Sequence, residues 1–237
     1  MGIILLEGGA EFGGQMADPD RLAIKLAGGP DALISILPTA AAPDNNHRRA
    51  GRNGVNWFKH LGATNVSSLP LIDNTSANDP VIVETLMQAR LIYLLGGFPR
   101  YLAQTLMQSR SWRAILSAYQ TGAVIAGSSA GAMVLCEHYY DPAFSCVREG
   151  LKLIDGICVL PHHNTIGKAW VPRLKKLLPN IVLLGIDEET GVISGVSEGF
   201  WQVYGKGKTT VYRDDLIEEF GPGQELRLPL LNFLNLP

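Results

Sequence analysis

The chain has 237 residues, 46% of them hydrophobic and 18% charged, and a formal net charge of −2. That balance is globular, excludes a disordered or membrane-spanning chain, and is enough for one domain over 1–237 with a sizeable core. No basic cluster stands out, so neither nucleic acid nor an anionic membrane is an expected partner.

In chain order, Gly2 to Leu6 reads as a buried strand that ends in a glycine-rich turn, Gly8-Gly9 and Gly13-Gly14. The stretch before Glu7 has no basic leader and is too short for a signal peptide, and no later run reaches transmembrane length. Asp20 to Ala27 is a helix with Asp18 or Asp20 at its cap, and Leu33 to Leu37 is a second strand. A loop over Ala40 to Asn46 leads to a helix, His47 to His60, that carries Val55, Phe58 and Arg48-Arg49. Asn65 to Leu71 is a third strand, and Pro80 to Ala89 is a helix entered by proline. Leu91 to Leu95 is a fourth strand that closes at Gly96-Gly97, followed by helices over Leu102 to Leu106 and Trp112 to Tyr119.

Ala123 to Ala126, Gly127-Ser128-Ser129-Ala130-Gly131, and the run from Ala130 to Cys136 then read as strand, tight turn and helix. Serine at the centre of G-x-S-x-G in that context is a nucleophile elbow, with Ser129 as nucleophile and Ser128 the weaker candidate. The helix start would aim N–H groups at a developing oxyanion. Ile157 to Leu160 and Ile181 to Ile186 are further strands. Phe200 to Tyr204 and Thr209 to Tyr212, flanking Gly205-Lys-Gly-Lys208, read as a C-terminal hairpin. Strand and helix alternate through apolar strands, so the expected architecture is α/β, three-layer, with a mostly parallel sheet and helices on both faces. Its sites belong at the strands' carboxyl ends, and Gly96-Gly97 and Gly127 are the natural neighbours around one pocket.

Cys136, Cys146 and Cys158 are odd in number, widely spaced and without C-x-x-C. They read as reduced thiols of a cytoplasmic protein, with no metal-ligand cluster and no expected cofactor.

A serine nucleophile needs a base and an orienting carboxylate. His47 and His60 lie on a polar helix, and His138 falls at the tail of the elbow helix, facing solvent. His162 and His163 follow a strand directly, where a parallel sheet holds its base. Asp187 and Glu188 end the next strand, and either can accept the imidazole N–H. The order Ser, His, carboxylate differs from that of the α/β-hydrolases.

AGSSAGAMVL, LLGGFPRYL, GLKLIDGICVLPHH and GIDEETGV, with EGGAE near the start, resemble the serine peptidase family of cyanophycinase and aspartyl dipeptidase (peptidase E-like). The similarity runs from about Gly2 to Tyr212. It implies a flavodoxin-like, class I glutamine-amidotransferase-like fold and hydrolysis of a small peptide or isopeptide. It also implies Ser129 as nucleophile, His162 as base, Glu188 as third member, and the N–H groups of Gly97 and Ala130 as oxyanion hole. An ungapped reading favours His162 over His163, which falls in an aromatic slot of some relatives.

The expected specificity set departs from the family. Phe98-Pro99 stands where relatives carry a polar pair, and Asn164 to Arg173 replaces an arginine-rich run. Arg100, Lys168 or Arg173 would have to supply any carboxylate partner, with His163 and Asn164 nearby; Trp170 is a further apolar candidate. Poor hydrolysis of aspartyl substrates follows as an expectation. The alternatives to a peptidase are a glutaminase-like enzyme, against which serine at the elbow counts, and a non-catalytic member of the fold. Nothing in the sequence excludes a homo-oligomer.

Overall fold

The apolar runs of the first half of the chain pair side by side as parallel strands, as unbroken hydrophobic strands do when both faces are covered. The computed structural model describes residues 2–195 and 199–228; Met1, 196–198 and 229–237, which belong to the expected 1–237 domain, lie outside the described residues. The chain opens β1 (Ile3–Glu7), α1 (Ala17–Leu26), β2 (Ile34–Leu37), α2 (His47–His60) and β3 (Val66–Ser68). There follow α3 (Pro80–Gln88), β4 (Leu91–Leu94), α4 (Pro99–Leu106), α5 (Arg110–Gln120), β5 (Val124–Ser128) and α6 (Ala130–Leu135). The second half runs β6 (His138–Asp141), β7 (Cys146–Glu149), β8 (Ile157–Leu160), α7 (Val171–Leu177) and β9 (Val182–Ile186). It continues with β10 (Thr190–Ser194), β11 (Phe200–Gly205), β12 (Thr209–Arg213), β13 (Leu216–Phe220) and β14 (Glu225–Arg227).

The larger sheet has the order β14-β11-β10-β1-β5-β4-β2-β3 and is mixed. Strands β1, β5, β4, β2 and β3 are parallel, while β10, β11 and β14 extend it antiparallel beyond β1. A second sheet, β13-β12-β9-β8, pairs β8 and β9 in parallel and adds β12 and β13 antiparallel.

Alternate residues of each parallel strand feed opposite sides, as the period of two demands. Leu5, Tyr93, Val124 and Ala126 pack towards Ile24 of α1 and Phe58 of α2. Ile4, Leu6, Ile92, Leu94 and Ile125 pack towards Ile82, Leu102, Ile115 and Met133 of α3 to α6. The second sheet shares that latter core through Val159, Leu184 and Val211, and turns Cys158, Leu160 and Leu183 towards Leu174 of α7.

Three local expectations are corrected. The strands around 205–208 do not pair with each other: β11 joins β10 in the larger sheet and β12 joins β9 in the second. The link turns a corner there, with Gly205 at φ +95 and the Asp187 carboxylate accepting Lys208 N–H at 2.9 Å. The C-terminal hairpin is β12–β13. Neither Asp18 nor Asp20 caps α1, which starts at Ala17; Asp20 lies inside the helix, fully buried. His138 opens β6 rather than ending a helix, because α6 stops at Leu135 and Cys136 is extended.

Candidate active site

Ser129 occupies the single residue between β5 and α6, at φ +49 and ψ −112. A non-glycine residue at such angles is strained by about 1–3 kcal/mol and must be held there by its surroundings. It is held from both sides: Ser129 N–H donates to the Glu7 carbonyl at 3.0 Å, and its own carbonyl accepts Met133 N–H at 3.0 Å. Small residues permit the approach. A Cβ on Gly131 would fall 2.1 Å from the Leu94 carbonyl oxygen, so α6 can lie this close to β4 only with glycine there.

The half-buried Ser129 side chain places Oγ 2.9 Å from Nε2 of His162. His162 follows β8 at φ +48, and its N–H donates to the Gly8 carbonyl at 2.7 Å. Its ring lies on the Gly8-Gly9 turn. A Cβ on Gly9, itself at φ +119, would meet His162 Cε1 at 2.2 Å. The other ring nitrogen, Nδ1, is 2.8 Å from Glu188 Oε1 at the end of β9. A carboxylate only accepts, so Nδ1 carries the proton and Nε2 is left to accept the serine hydroxyl. Glu188 is fixed in turn, its N–H donating to Asn164 Oδ1 at 3.0 Å. All three glycine-rich strand ends therefore converge, with Gly8-Gly9 carrying the histidine.

His163 turns the opposite way. It is buried, with Nε2 2.8 Å from Tyr212 Oη and Nδ1 3.4 Å from Asp187 Oδ1. Burial pushes its pKa down, against the opposing pull of Asp187. The structure thus brings His162 and Glu188 to Ser129, and gathers His163 and Asp187 into a separate cluster beneath the second sheet.

Of the expected oxyanion donors, Gly97 is exposed at φ +136 in the turn after β4. Ala130 is the first residue of α6, where an N–H has no intrahelical acceptor. Phe98 is half exposed beside them, and Pro99 starts α4. Arg100 is drawn to the β6–β7 hairpin instead, its guanidinium 4.8 Å from the Phe144 ring centre, with Arg148 at 5.1 Å from the same ring. Lys168 and Arg173 are exposed on the segment packed against the second sheet. Trp170 packs against Tyr140 with ring centres 5.2 Å apart and planes tilted by 47°, so it is held in packing rather than free to wall a pocket.

Two carboxylate features escaped the sequence reading. Beneath the serine turn, the fully buried Glu7 side chain accepts from Tyr93 Oη, and the fully buried Asp20 accepts from Trp57 Nε1 at 2.7 Å. Among the described residues, Glu7 Oε1 and Asp20 Oδ1 have no hydrogen-bond donor, and a proton held between the two carboxyl groups would satisfy both. Burial, then the neighbouring Asp20, pushes Glu7 well above the carboxylate range, and burial pushes Asp20 up to about 7. Glu11 approaches the turn from the other side, accepting the Ser128 hydroxyl at 3.0 Å. The only sequence signal for these acids was the spacing of glutamates around Gly8-Gly9. Among the described residues, no group of three or more His, Cys, Asp or Glu converges as a metal site, and no helix is long and apolar enough to cross a membrane.

Comparison with known proteins gives a consistent result. The model of peptidase family S51 matches residues 4–219. The cyanophycinase of Geminocystis herdmanii is 27% identical over 196 residues, covering 78% of this chain and 71% of that protein. That of Synechococcus elongatus is 26% identical over 222 residues, covering 89% and 67%. The crystal structure of a peptidase from an acI-B1 Actinobacterium superposes with a TM-score of 0.85 at 30% identity, over 96% of this chain and 97% of that one. A putative peptidase E protein from Listeria monocytogenes superposes with a TM-score of 0.63 over 87% of this chain and 100% of that one; at 18% identity, this likeness speaks for the fold alone.

Proposed function

Because the chain belongs to peptidase family S51, and so is a serine-type peptidase, we propose that Ser129 is its nucleophile, His162 its general base and Glu188 the carboxylate that orients the base. The observation that carries this reading is the unbroken chain of contacts, 2.9 Å from Ser129 Oγ to His162 Nε2 and 2.8 Å from His162 Nδ1 to Glu188 Oε1. The strained backbone of Ser129, in a strand–turn–helix setting, supports reading the turn as a nucleophile elbow.

On this reading, Ser129 Oγ attacks the scissile carbonyl carbon while its proton passes to His162 Nε2. Glu188 stabilises the imidazolium that forms. The N–H groups of Gly97 and Ala130 receive the carbonyl oxygen as it becomes an oxyanion. The tetrahedral species collapses, breaking the C–N bond, and His162 Nε2–H protonates the departing amine. Water then gives a proton to His162, adds to the acyl-enzyme, and releases the acid and the serine hydroxyl. The substrate is a small peptide or isopeptide. The free thiols of Cys136, Cys146 and Cys158 support a cytoplasmic setting.

The test is labelling by a fluorophosphonate with the adduct located by peptide mass. An adduct on Ser129 that is absent from Ser129→Ala is expected. An adduct elsewhere, or none, rejects the assignment.

A further inference from the structure

Glu11 stands beside the reacting serine, yet the steps above give it no role. Its Oε2 accepts the Ser128 hydroxyl at 3.0 Å, which ties it to the residue before the nucleophile. Its Oε1 lies 3.0 Å from the point where a Cβ on Gly96 would start, and Ser129 Cβ lies 3.2 Å from that same point. Carboxylate and serine therefore meet across the bare backbone of Gly96, where any side chain would come between them.

This point opens into a cavity of about 400 Å³ whose walls include Glu11, Gly96, Gly97, Asp44, Asn53 and Arg49. The Glu11 carboxylate has no counter-ion of its own: among the described residues, no Lys, Arg or His forms an ion pair with it. Arg49, across the cavity, is exposed and directs its Nε to Asn46 Oδ1 at 2.8 Å. One oxygen of Glu11 is engaged by a neutral hydroxyl and the other is left for what enters. A carboxylate so placed gains most from a cationic N–H donor, because charge-assisted hydrogen bonds are about twice as strong as neutral ones.

Building on the proposed role of Ser129, we propose that Glu11 anchors a positively charged group of the substrate, an ammonium or guanidinium close to the scissile carbonyl, inside this cavity. Two parts of a peptide can supply that group, the N-terminal amine and a lysine or arginine side chain. Both present N–H donors on a positive charge, and both would fix how far the peptide slides past Ser129. Glu11 is thus a specificity residue that reads charge next to the bond being cut.

Four diphenyl phosphonate probes test this, built on lysine or norleucine, each with a free or an acetylated amine. The quantity read is the second-order rate of Ser129 phosphonylation relative to acetyl-norleucine, the doubly neutral probe. In the unmodified protein at least one cationic probe should react about tenfold faster or more, and the arm that does so identifies amine or side chain as the source. Glu11→Gln, which keeps an acceptor for Ser128, should bring that ratio to within about twofold, while Glu11→Asp should retain a preference. A ratio near one in the unmodified protein, no reaction with any probe, or a ratio unmoved by Glu11→Gln overturns the anchor. Fluorophosphonate labelling measured alongside separates the failures: with Ser129 labelled, only the anchor falls, and without labelling the nucleophile falls too.

Discussion

Glu7 is bound to Ser129 through its backbone while its side chain does something unrelated to it. The Glu7 carbonyl receives the Ser129 N–H at 3.0 Å, and the carboxyl group of the same residue points into the core, against Tyr93 and Asp20. The residue that fixes the strained serine is thus also half of a buried acid pair. Any change in that pair's charge acts directly below the site.

Stability should therefore fall as pH rises. Asp20 is raised from 3.8 to about 7, so the folded state holds a proton that the unfolded chain gives up. The sign follows: the associated stabilisation is complete below about pH 4 and is lost as pH climbs through about 7, a change of a few kcal/mol. Melting temperatures between pH 5 and 8.5 should decline for the unmodified protein. Asp20→Asn can still accept from Trp57 and can donate to Glu7 without titrating, so its decline should be much shallower. Equal slopes would remove the shared proton from consideration.

The two adjacent histidines should separate cleanly. His162→Ala is expected to cost about 10³-fold or more in kcat, as loss of a base in such a triad does. His163→Ala should chiefly lower the melting temperature, by leaving Tyr212 and Asp187 unpaired, with the pH–rate profile of the remaining activity in place. A shifted acid limb in the His163 variant would mean that this ring takes part in the proton transfer.

Gly9→Ala is the sharpest test of how the base is positioned. The added methyl would sit 2.2 Å from His162 Cε1, on a backbone at φ +119 that alanine rarely adopts. The ring must move, and the serine–imidazole contact goes with it. Fluorophosphonate labelling should slow by about a hundredfold or more, since misplacement by an ångström costs on that order, in protein whose circular dichroism still reports the folded state. Unchanged labelling would place the base elsewhere.

Specificity is expected to run against aspartyl substrates. Pro99 has no N–H to donate, Arg100 is committed to Phe144, and Glu11 adds a like charge beside the serine. An aspartyl side chain at the scissile residue forfeits charge-assisted hydrogen bonds worth roughly 1.5–3 kcal/mol. Its kcat/KM should lie about ten- to a hundredfold below that of a neutral analogue. Comparable values for aspartyl and asparaginyl versions of one peptide would show that a basic residue, such as Lys168, Arg173 or Arg49 on the cavity wall, takes the carboxylate.

What the sequence disclosed depended on how local each cause was. The helix His47–His60 and the strand Ile157–Leu160 have the predicted bounds, because apolar spacing and flanking residues specify them. The pairing of β11 was invisible for the opposite reason. Strands on either side of Gly205-Lys208 show the same alternation whether they pair or part, and what parts them is a contact with Asp187, some twenty residues earlier in the chain. The hairpin β6–β7 lacked the Asn-Gly or Asp-Gly signature that marks such turns. Asp20 looked like a cap because short acids near a helix start usually are; its burial is created by Glu7, Tyr93 and Trp57, brought in from other strands and helices. Spacing alone left Asp187 and Glu188 equivalent at one strand end; the family resemblance pointed to Glu188, and the structure sets Glu188 on His162 and Asp187 on His163.

The serine ends a strand of the larger sheet, whereas His162 and Glu188 end strands of the second. Each sheet alone carries an incomplete machine. During synthesis, a chain that has released Ser129 from the ribosome still lacks His162 and Glu188, which arrive 33 and 59 residues later. On the proposed assignment, activity therefore comes into being only once the second sheet has docked on the larger one.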